Sequence, residues 1–420
     1  MKVVLLNPYF SGISTVPSLG LGFLAYFIKL NLKDVEVQII EPQLQRKLKD
    51  DVLKTLDNTD FLGMVVYTEN RFQVFAFAKE AKERNNNLKI VLGGPHVYSL
   101  SKLILKYYPF IDYIVRGDGE EPLSKLLSGE NLDRINGLTY RNQDEIKETQ
   151  ISTVLPDFNS LRYDYNSCYI KDWKDPEVPP YLLKLNHLPF ISSRGCIFNC
   201  SFCATSRLCN YKWRGYSPKV LVKIMEELVS KFNIKYFRIY DALFMPYKNY
   251  LQDFFKEIKE RNLDIHYRID THVNVHEQYF PELRKSGCDV LGYGIESGSD
   301  RILKLINKNI TREQVLRSIK LAKKNGFWII GYFMRFHPTE TEEDVLLTED
   351  LMKRFDLINL QYFKIHPDTP FYDQLKSKSE ITDETWFDPS FGITSRYGNE
   401  AYYCKELFKS SKHTGRGVVF

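Results

Sequence analysis

Short apolar runs alternate with stretches of helical period along most of the chain. In the first 130 residues the runs are VVLL (3–6), VEVQII (35–40), FLGMVV (61–66), KIVL (89–92) and DYIV (112–115). Helical patterns follow near 19–31, 45–56, 72–85, 99–107 and 120–128. A continuous apolar run of this length suits a strand buried on both faces, and strand–helix alternation packs as a parallel sheet covered by helices. The pattern predicts a doubly wound parallel sheet of the flavodoxin-like kind, with its ligand crevice outside the carboxyl ends of the strands. The segments at those ends are NPYFSGISTVPSLG, YTEN, GGPH and GDGEE, and Gly93-Gly94 would let backbone approach a ligand closely.

The alternation lapses over 131–185, where turn-prone NG, RNQDE and DPEVPP suggest a connecting segment with a small hairpin. It resumes with LPFISS (188–193), YFRIY (236–240), IHYRI (265–269), VLGYGI (290–295), WIIGYFM (328–334) and LINLQYF (357–363). Helices are expected near 218–232, 247–261, 277–286, 299–325 (with a break near Asn309) and 341–354. Consecutive βα units of this kind predict a partial (β/α)6 barrel of the TIM type, with chemistry at the carboxyl ends of its strands. The expected organisation is a first domain over 1–130, a connecting segment over 131–185, a barrel over 186–376 and a tail of unassigned role over 377–420.

Composition narrows the classes. With 420 residues, 43 % apolar and 26 % charged, the chain has core material for two domains. A net charge of +5 over this length does not point to a nucleic-acid partner. The longest apolar stretch, LGLGFLAYFIKL (19–30), is too short to span a bilayer. The opening MKVVLLNPYF is broken by Asn7 and Pro8 and does not read as a secretory leader. Seven cysteines, an odd number with a tight triplet, do not form a secreted disulfide framework, so a reducing, cytoplasmic setting is expected.

The triplet lies in SSRGCIFNCSFC (192–203), spaced C-x3-C-x2-C, just after the first strand of the second alternating region. In such a setting clustered cysteines mean metal more often than disulfide exchange. A structural zinc site needs four ligands and usually two such knuckles; Cys209, six residues past Cys203, is a candidate fourth. A zinc-stabilised binding protein without turnover is therefore one reading. Iron–sulfur clusters usually take four thiolates, so three leave an iron with an open position for a substrate or cofactor. Gly195 lets the loop wrap tightly, and Arg194 favours thiolate over thiol.

The triplet, with Phe202 before its last cysteine, resembles that of the radical S-adenosylmethionine enzymes. The resemblance implies a [4Fe–4S] cluster held by Cys196, Cys200 and Cys203. It also implies S-adenosylmethionine chelating the fourth iron, and one-electron cleavage to a 5′-deoxyadenosyl radical. It continues through RGYSP (214–218), YFRIYDALF (236–244), YRID (267–270), GCDVLGYGIESGSDRILKLINK (287–308), KKNGFW (323–328), HPTETEED (337–344) and HPDTPFYDQL (366–375). That order is the one found in radical enzymes with an N-terminal cobalamin-type domain. By resemblance Glu296, with Ser297 beside it, faces S-adenosylmethionine. Asp241 lies near the methionine amino group, and Arg268 meets the carboxylate, where a guanidinium fork fits. The other reading of these strand-end groups is a structural hydrogen bond. The chain departs from the family in having Asp241-Ala242 for two adjacent acids, FHPTET for G-x-P-G-E-T and PDTP for P-G-T-P.

For the first domain, GLGFLA (20–25) matches a dinucleotide fingerprint in letters, but about a dozen residues separate it from its strand, where the fingerprint must follow at once. A phospho-receiver is excluded by Asn7 and Tyr67 where acids are needed. PSLGLGFLA, VLGGPH and IVRGDGEEP resemble the cobalamin-binding radical enzymes. That resemblance implies corrin contacts from Tyr67, Thr68, Gly93, Gly94, His96, Gly117 and Glu120, with no axial histidine in the first loop. An empty platform is the alternative. His272 and His276, although four apart, are expected in ordinary hydrogen-bonded roles.

The implied reaction is methylation of an unactivated carbon, one S-adenosylmethionine methylating cobalamin and a second generating the radical. Cyclisation, rearrangement or oxidation without methyl transfer is the alternative. The expected partners are a small-molecule or peptide substrate and a reductant such as flavodoxin or ferredoxin, with no membrane span.

Overall fold

The computed structural model describes residues 1–8, 16–143, 145–152, 156–168, 173–389, 391 and 418–419. The chain forms two units. The first is drawn from residues 1–171 with 366–368 and 373–391, and the second from 172–365 with 369–372.

In the first unit β1 (Lys2–Leu6), β2 (Glu36–Ile40), β3 (Phe61–Val65), β4 (Lys89–Gly93) and β5 (Tyr113–Val115) are parallel, in spatial order β2-β1-β3-β4-β5. The order turns back between β1 and β3, so the crevice at their carboxyl ends is the natural ligand position. Val3, Val4, Leu5 and Leu6 are all buried, as expected for a strand covered on both faces. Val3 and Leu5 join Ala25 and Ile28 of helix Leu19–Asn31 and Val37 and Ile39 of β2 in one core. The hairpin in the connecting segment, β6 (Leu138–Asn142) and β7 (Glu145–Glu148), extends this sheet antiparallel to β5. Leu138 and Tyr140 alternate inward from it and join the same core.

Of the tail, residues 377–389, 391 and 418–419 are described, and those up to 391 pack on this unit. Trp386 is fully buried, its carbonyl accepts from Arg71 Nε at 3.1 Å, and Phe387 stacks on Tyr107 at 4.6 Å. The tail beyond, 392–417 with Cys404, and residues 9–15 of the loop after β1 lie outside the described residues.

In the second unit β8 (His187–Phe190), β11 (Tyr236–Ile239), β12 (His266–Thr271), β13 (Cys288–Glu296), β14 (Trp328–Arg335) and β15 (Leu357–Tyr362) are parallel neighbours in chain order, an open half-barrel. β9 (Ser193–Arg194) and β10 (Arg214–Gly215) form a small antiparallel ribbon past the carboxyl end of β8, and β16 (Val418–Val419) pairs with β15. Helix Pro218–Phe232 shows why the units form. Pro218 occupies its first turn, where no amide partner is lost. Leu221, Val222, Met225 and Leu228 recur on one buried face, and Asn233 ends the helix in the left-handed region. Leu221→Ala would cost about 2–5 kcal/mol by the cavity it leaves.

Part of the expected connecting segment closes the amino-terminal end of the half-barrel. Val178 and Leu182 pack with Tyr236, Val290 and Ile330, which lie at or near the starts of their strands. Asp175 and Glu177 reach inward to Arg268, at 3.2 and 2.5 Å.

Candidate functional site

The cysteine loop is fastened from several sides. At the end of β11 Asp241 accepts from the backbone N–H of Ser192 at 2.8 Å and of Ser193 at 3.0 Å, and from both their hydroxyls. Burial pushes this carboxyl up to about 6, against the pull of the serine hydrogen bonds. Four donors occupy it, so in this structure Asp241 fixes the approach to the cysteines. Gly195 takes φ +94, and a side chain there would meet the Lys212 carbonyl. Farther along, Ser201 N donates to Ile306 O at 2.9 Å, Asn307 Nδ2 to Asn199 O at 2.6 Å and Phe371 N to Ser201 O at 2.9 Å. Phe202 is half-buried, and the Phe198 ring stacks on His272 at 4.0 Å.

Cys200 is buried, and Cys196 and Cys203 are half-buried. Burial pushes the Cys200 thiol up to about 11 and raises Cys196. Thiolates in such a place need positive charge beside them, from a metal or a cation. Among the described residues no three His, Cys, Asp or Glu side chains converge on a single ion position. A cubane takes one thiolate per iron, so three cysteines spread around it suit a [4Fe–4S] group. Cys209 lies beside Gly195, at the end of helix Thr205–Leu208.

Glu296 ends β13 with φ +72, a conformation that costs a non-glycine residue about 1–3 kcal/mol and gathers at functional sites. Its carboxylate accepts from Lys308 Nζ at 2.9 Å, both side chains nearly buried. Glu296 and Lys308 both act electrostatically on Cys200, so the structure brings them to the cysteines. Ser297 is buried and holds the following turn through Thr348 Oγ1 and Ser299 N. Arg268 is fully buried and committed to Asp175, Glu177 and Tyr332, with Arg238 beside it on Asp175 and Asp270. That network satisfies its charge inside the barrel, an arrangement that fits the structural-hydrogen-bond reading. His272 and His276 are buried and bonded to Lys308 O and Met245 O, as ordinary structural histidines are. Lys308 closes the stretch GCDVLGYGIESGSDRILKLINK (287–308), but nothing in the sequence gave it a role of its own.

In the first unit the polar groups gather at the carboxyl ends of β1, β3 and β4. Tyr67 and Thr68 follow β3, and Tyr67 N donates to Asn70 Oδ1 at 2.8 Å. His96, after β4, faces Thr68 Oγ1 through Nδ1 at 3.2 Å, and His366 Nδ1 meets the same hydroxyl at 3.3 Å. Burial, with Arg71 nearby, lowers His96 to about 3 and keeps it neutral. Gly94 takes φ +103, and a Cβ there would stand 2.8 Å from Val66 O. Gly93 is half-buried, Gly117 exposed with φ +82, and Glu120 buried at the start of its helix. Glu41, at the end of β2, is pushed by burial up to about 7, while accepting from Asn7 Nδ2 at 2.8 Å and Ser18 N at 2.7 Å. Among the buried polar atoms that find no partner among the described residues are Asn7 Oδ1, Asn70 Nδ2 and His96 Nε2. They sit after β1, β3 and β4, around the crevice. Buried polar atoms are rarely left so, and a ligand rich in amides would satisfy them. This rim fits a corrin. Asn7 and Asn70 stand in the strand-end segments NPYFSGISTVPSLG and YTEN, but like Glu41 they carried no signal that singled them out.

The half-barrel with a three-cysteine loop at its carboxyl end, together with a separate doubly wound unit, defines the class. Residues 190–352 match the Radical SAM superfamily and residues 14–127 the B12 binding domain. The chain belongs to the radical SAM superfamily, among its members that carry a B12-binding domain, and so to enzymes that use a [4Fe–4S] cluster, S-adenosylmethionine and cobalamin. It is 31 % identical over 381 residues to an uncharacterized methyltransferase, PH0819, of Pyrococcus horikoshii, covering 86 % of this chain and 80 % of that one. It is 27 % identical to the anaerobic magnesium-protoporphyrin IX monomethyl ester cyclase of Rubrivivax gelatinosus, over 91 % of this chain and 71 % of that one. Its fold is similar to that of the radical S-adenosylmethionine methyltransferase TsrM of Kitasatospora setae, solved with cobalamin and a [4Fe–4S] cluster (TM-score 0.71, 16 % identity, 90 % of this chain and 75 % of that one). It is also similar to the cobalamin-dependent radical enzyme OxsB (TM-score 0.74, 19 % identity, 98 % of this chain and 67 % of that one). Among the described residues no helix is long and apolar enough to cross a membrane.

Proposed function

We propose that this protein methylates an unactivated carbon of a small-molecule or peptide substrate. The observation that carries the reading is the likeness to a relative named a methyltransferase, which extends over 86 % of the chain and so through both units. Cys196, Cys200 and Cys203 would hold the cluster, and Glu296 would face S-adenosylmethionine. Tyr67, Thr68, Gly93, Gly94, His96, Gly117 and Glu120 would lie along the corrin. When bound, the cofactors supply the methyl group, the radical and the electron. The chain's own residues hold and shield them. Asp241 and the 306–308 turn fix the cysteine loop, the rim of Asn7, Asn70 and His96 offers polar contacts, and Asp175 and Glu177 close the far end of the barrel. The reductant would be flavodoxin- or ferredoxin-like and the setting cytoplasmic.

The cyclase relative supports a second reading, with the same cofactors and no methyl transfer. Products separate the two. Reduced, reconstituted protein given S-adenosylmethionine should yield both S-adenosylhomocysteine and 5′-deoxyadenosine if it methylates, and only 5′-deoxyadenosine if it does not.

A further inference from the structure

The turn after helix Asp300–Leu305 serves the cysteine loop with three consecutive residues. Ile306 O accepts from Ser201 N at 2.9 Å, and Asn307 Nδ2 donates to Asn199 O at 2.6 Å. Lys308 O meets His272 Nε2 at 3.0 Å, and the His272 ring lies flat on Phe198, between Cys196 and Cys200 in the chain. Asn307 and Asn309 flank the lysine at φ +54 and +55, a backbone region that asparagine tolerates better than most residues.

This backbone sends the lysine inward. Lys308 is 7 % exposed, and its ammonium stands 2.9 Å from Glu296 Oε1. Gly294 makes the room: a Cβ there would lie 2.9 Å from both Lys308 Nζ and Glu296 Oε1. A lysine so deeply buried needs compensation. Glu296 supplies one opposite charge, and the turn that carries Lys308 is bonded to the cysteine loop at Ser201 and Asn199.

We propose that Lys308 is a positioning residue whose buried ammonium balances the charge of the cysteine thiolates and favours the reduced state of the cluster they hold. The proposal rests on the reading of Cys196, Cys200 and Cys203 as cluster ligands. Adding an electron makes a thiolate-bound cluster more negative, and a cation fixed beside it in a poorly screening interior stabilises the more negative state. Glu296 opposes this, so the ion pair sets the potential between two limits. Removing the ammonium lowers it; neutralising the carboxylate raises it.

The test is a redox titration of the full-length protein, reconstituted anaerobically with iron and sulfide and followed by electron paramagnetic resonance without S-adenosylmethionine. Lys308→Met should lower the reduced-to-oxidised ratio at a fixed potential at least tenfold, which is about 59 mV for one electron. Lys308→Arg should keep the wild-type midpoint. Because Lys308→Met strands a buried carboxylate, Glu296→Gln is compared with Glu296→Gln/Lys308→Met; the double variant should again lie lower. A wild-type cluster with midpoints unmoved in both comparisons overturns the proposal alone. So does a cluster that forms in Glu296→Gln but in neither variant lacking the lysine, which makes Lys308 a structural strut. A wild-type protein that takes up no cluster overturns the cysteine reading, and the proposal with it.

Discussion

The cysteine loop and the rim of the first unit are built on opposite plans. The loop gathers its donors within eight residues of chain, from Cys196 to Cys203, and fastens them from outside through Asp241, Ile306, Asn307 and Phe371. The rim draws single residues from the ends of several strands: Asn7, Glu41, Thr68, Asn70 and His96. It keeps three of their polar atoms unsatisfied. A compact ligand needing covalent donors at fixed spacing is served by one short loop. A wide, flat ligand bound by many weak contacts is served by a rim. The two plans fail differently under mutation.

The largest expected effect is at the loop. Cys200→Ala should take bound iron from about four per chain to near none. Corrin absorbance should persist after incubation with hydroxocobalamin, because the residues of the rim belong to the first unit and the cysteines to the second. Loss of both on one substitution would mean that the two centres are not independent. Next is the packing beneath the rim. Trp386 is fully buried against His96 and Arg71, and Trp386→Ala should destabilise the first unit by about 3–5 kcal/mol, read as an earlier unfolding transition with iron binding intact.

The rim also carries a pH dependence. Burial raises the Glu41 carboxyl from 4.5 to about 7, so the folded chain holds its proton more tightly than the unfolded chain does. This group's contribution is greatest below about 4.5 and is lost as pH rises through about 7, by about 3 kcal/mol in all. Glu41→Gln should therefore be more stable than the parent at pH 8, and the gap should close as pH falls toward 4.5. A constant gap in denaturant melts across that range would contradict the account. The smallest effect is Ser193→Ala, which removes one of four donors to Asp241 and should cost about 1 kcal/mol, leaving iron content unchanged.

The same contrast explains what was legible in the sequence. Buried strands read clearly because β1 and β13 are apolar on both faces, and the cysteines read clearly because their donors are neighbours in the chain. The hairpin at 138–148 was visible, but its membership in the first sheet was not; Leu138 and Tyr140 are too few to show where they pack. Arg268 drew notice as a strand residue. Its partners Asp175 and Glu177 lie about ninety residues earlier, in a segment with no periodicity, so its role in closing the barrel floor needed the fold. Lys308 was hidden for the same reason, since only the turn at Asn307 and Asn309 aims it inward.

The central claim, that one chain joins a radical-generating cluster to a methyl-carrying corrin, is tested most directly by counting products. Reconstituted, cobalamin-loaded protein is reduced without air and given S-adenosylmethionine labelled in its methyl group. The account predicts 5′-deoxyadenosine together with S-adenosylhomocysteine, and label on the corrin. 5′-Deoxyadenosine with no S-adenosylhomocysteine and no transferred label would contradict it.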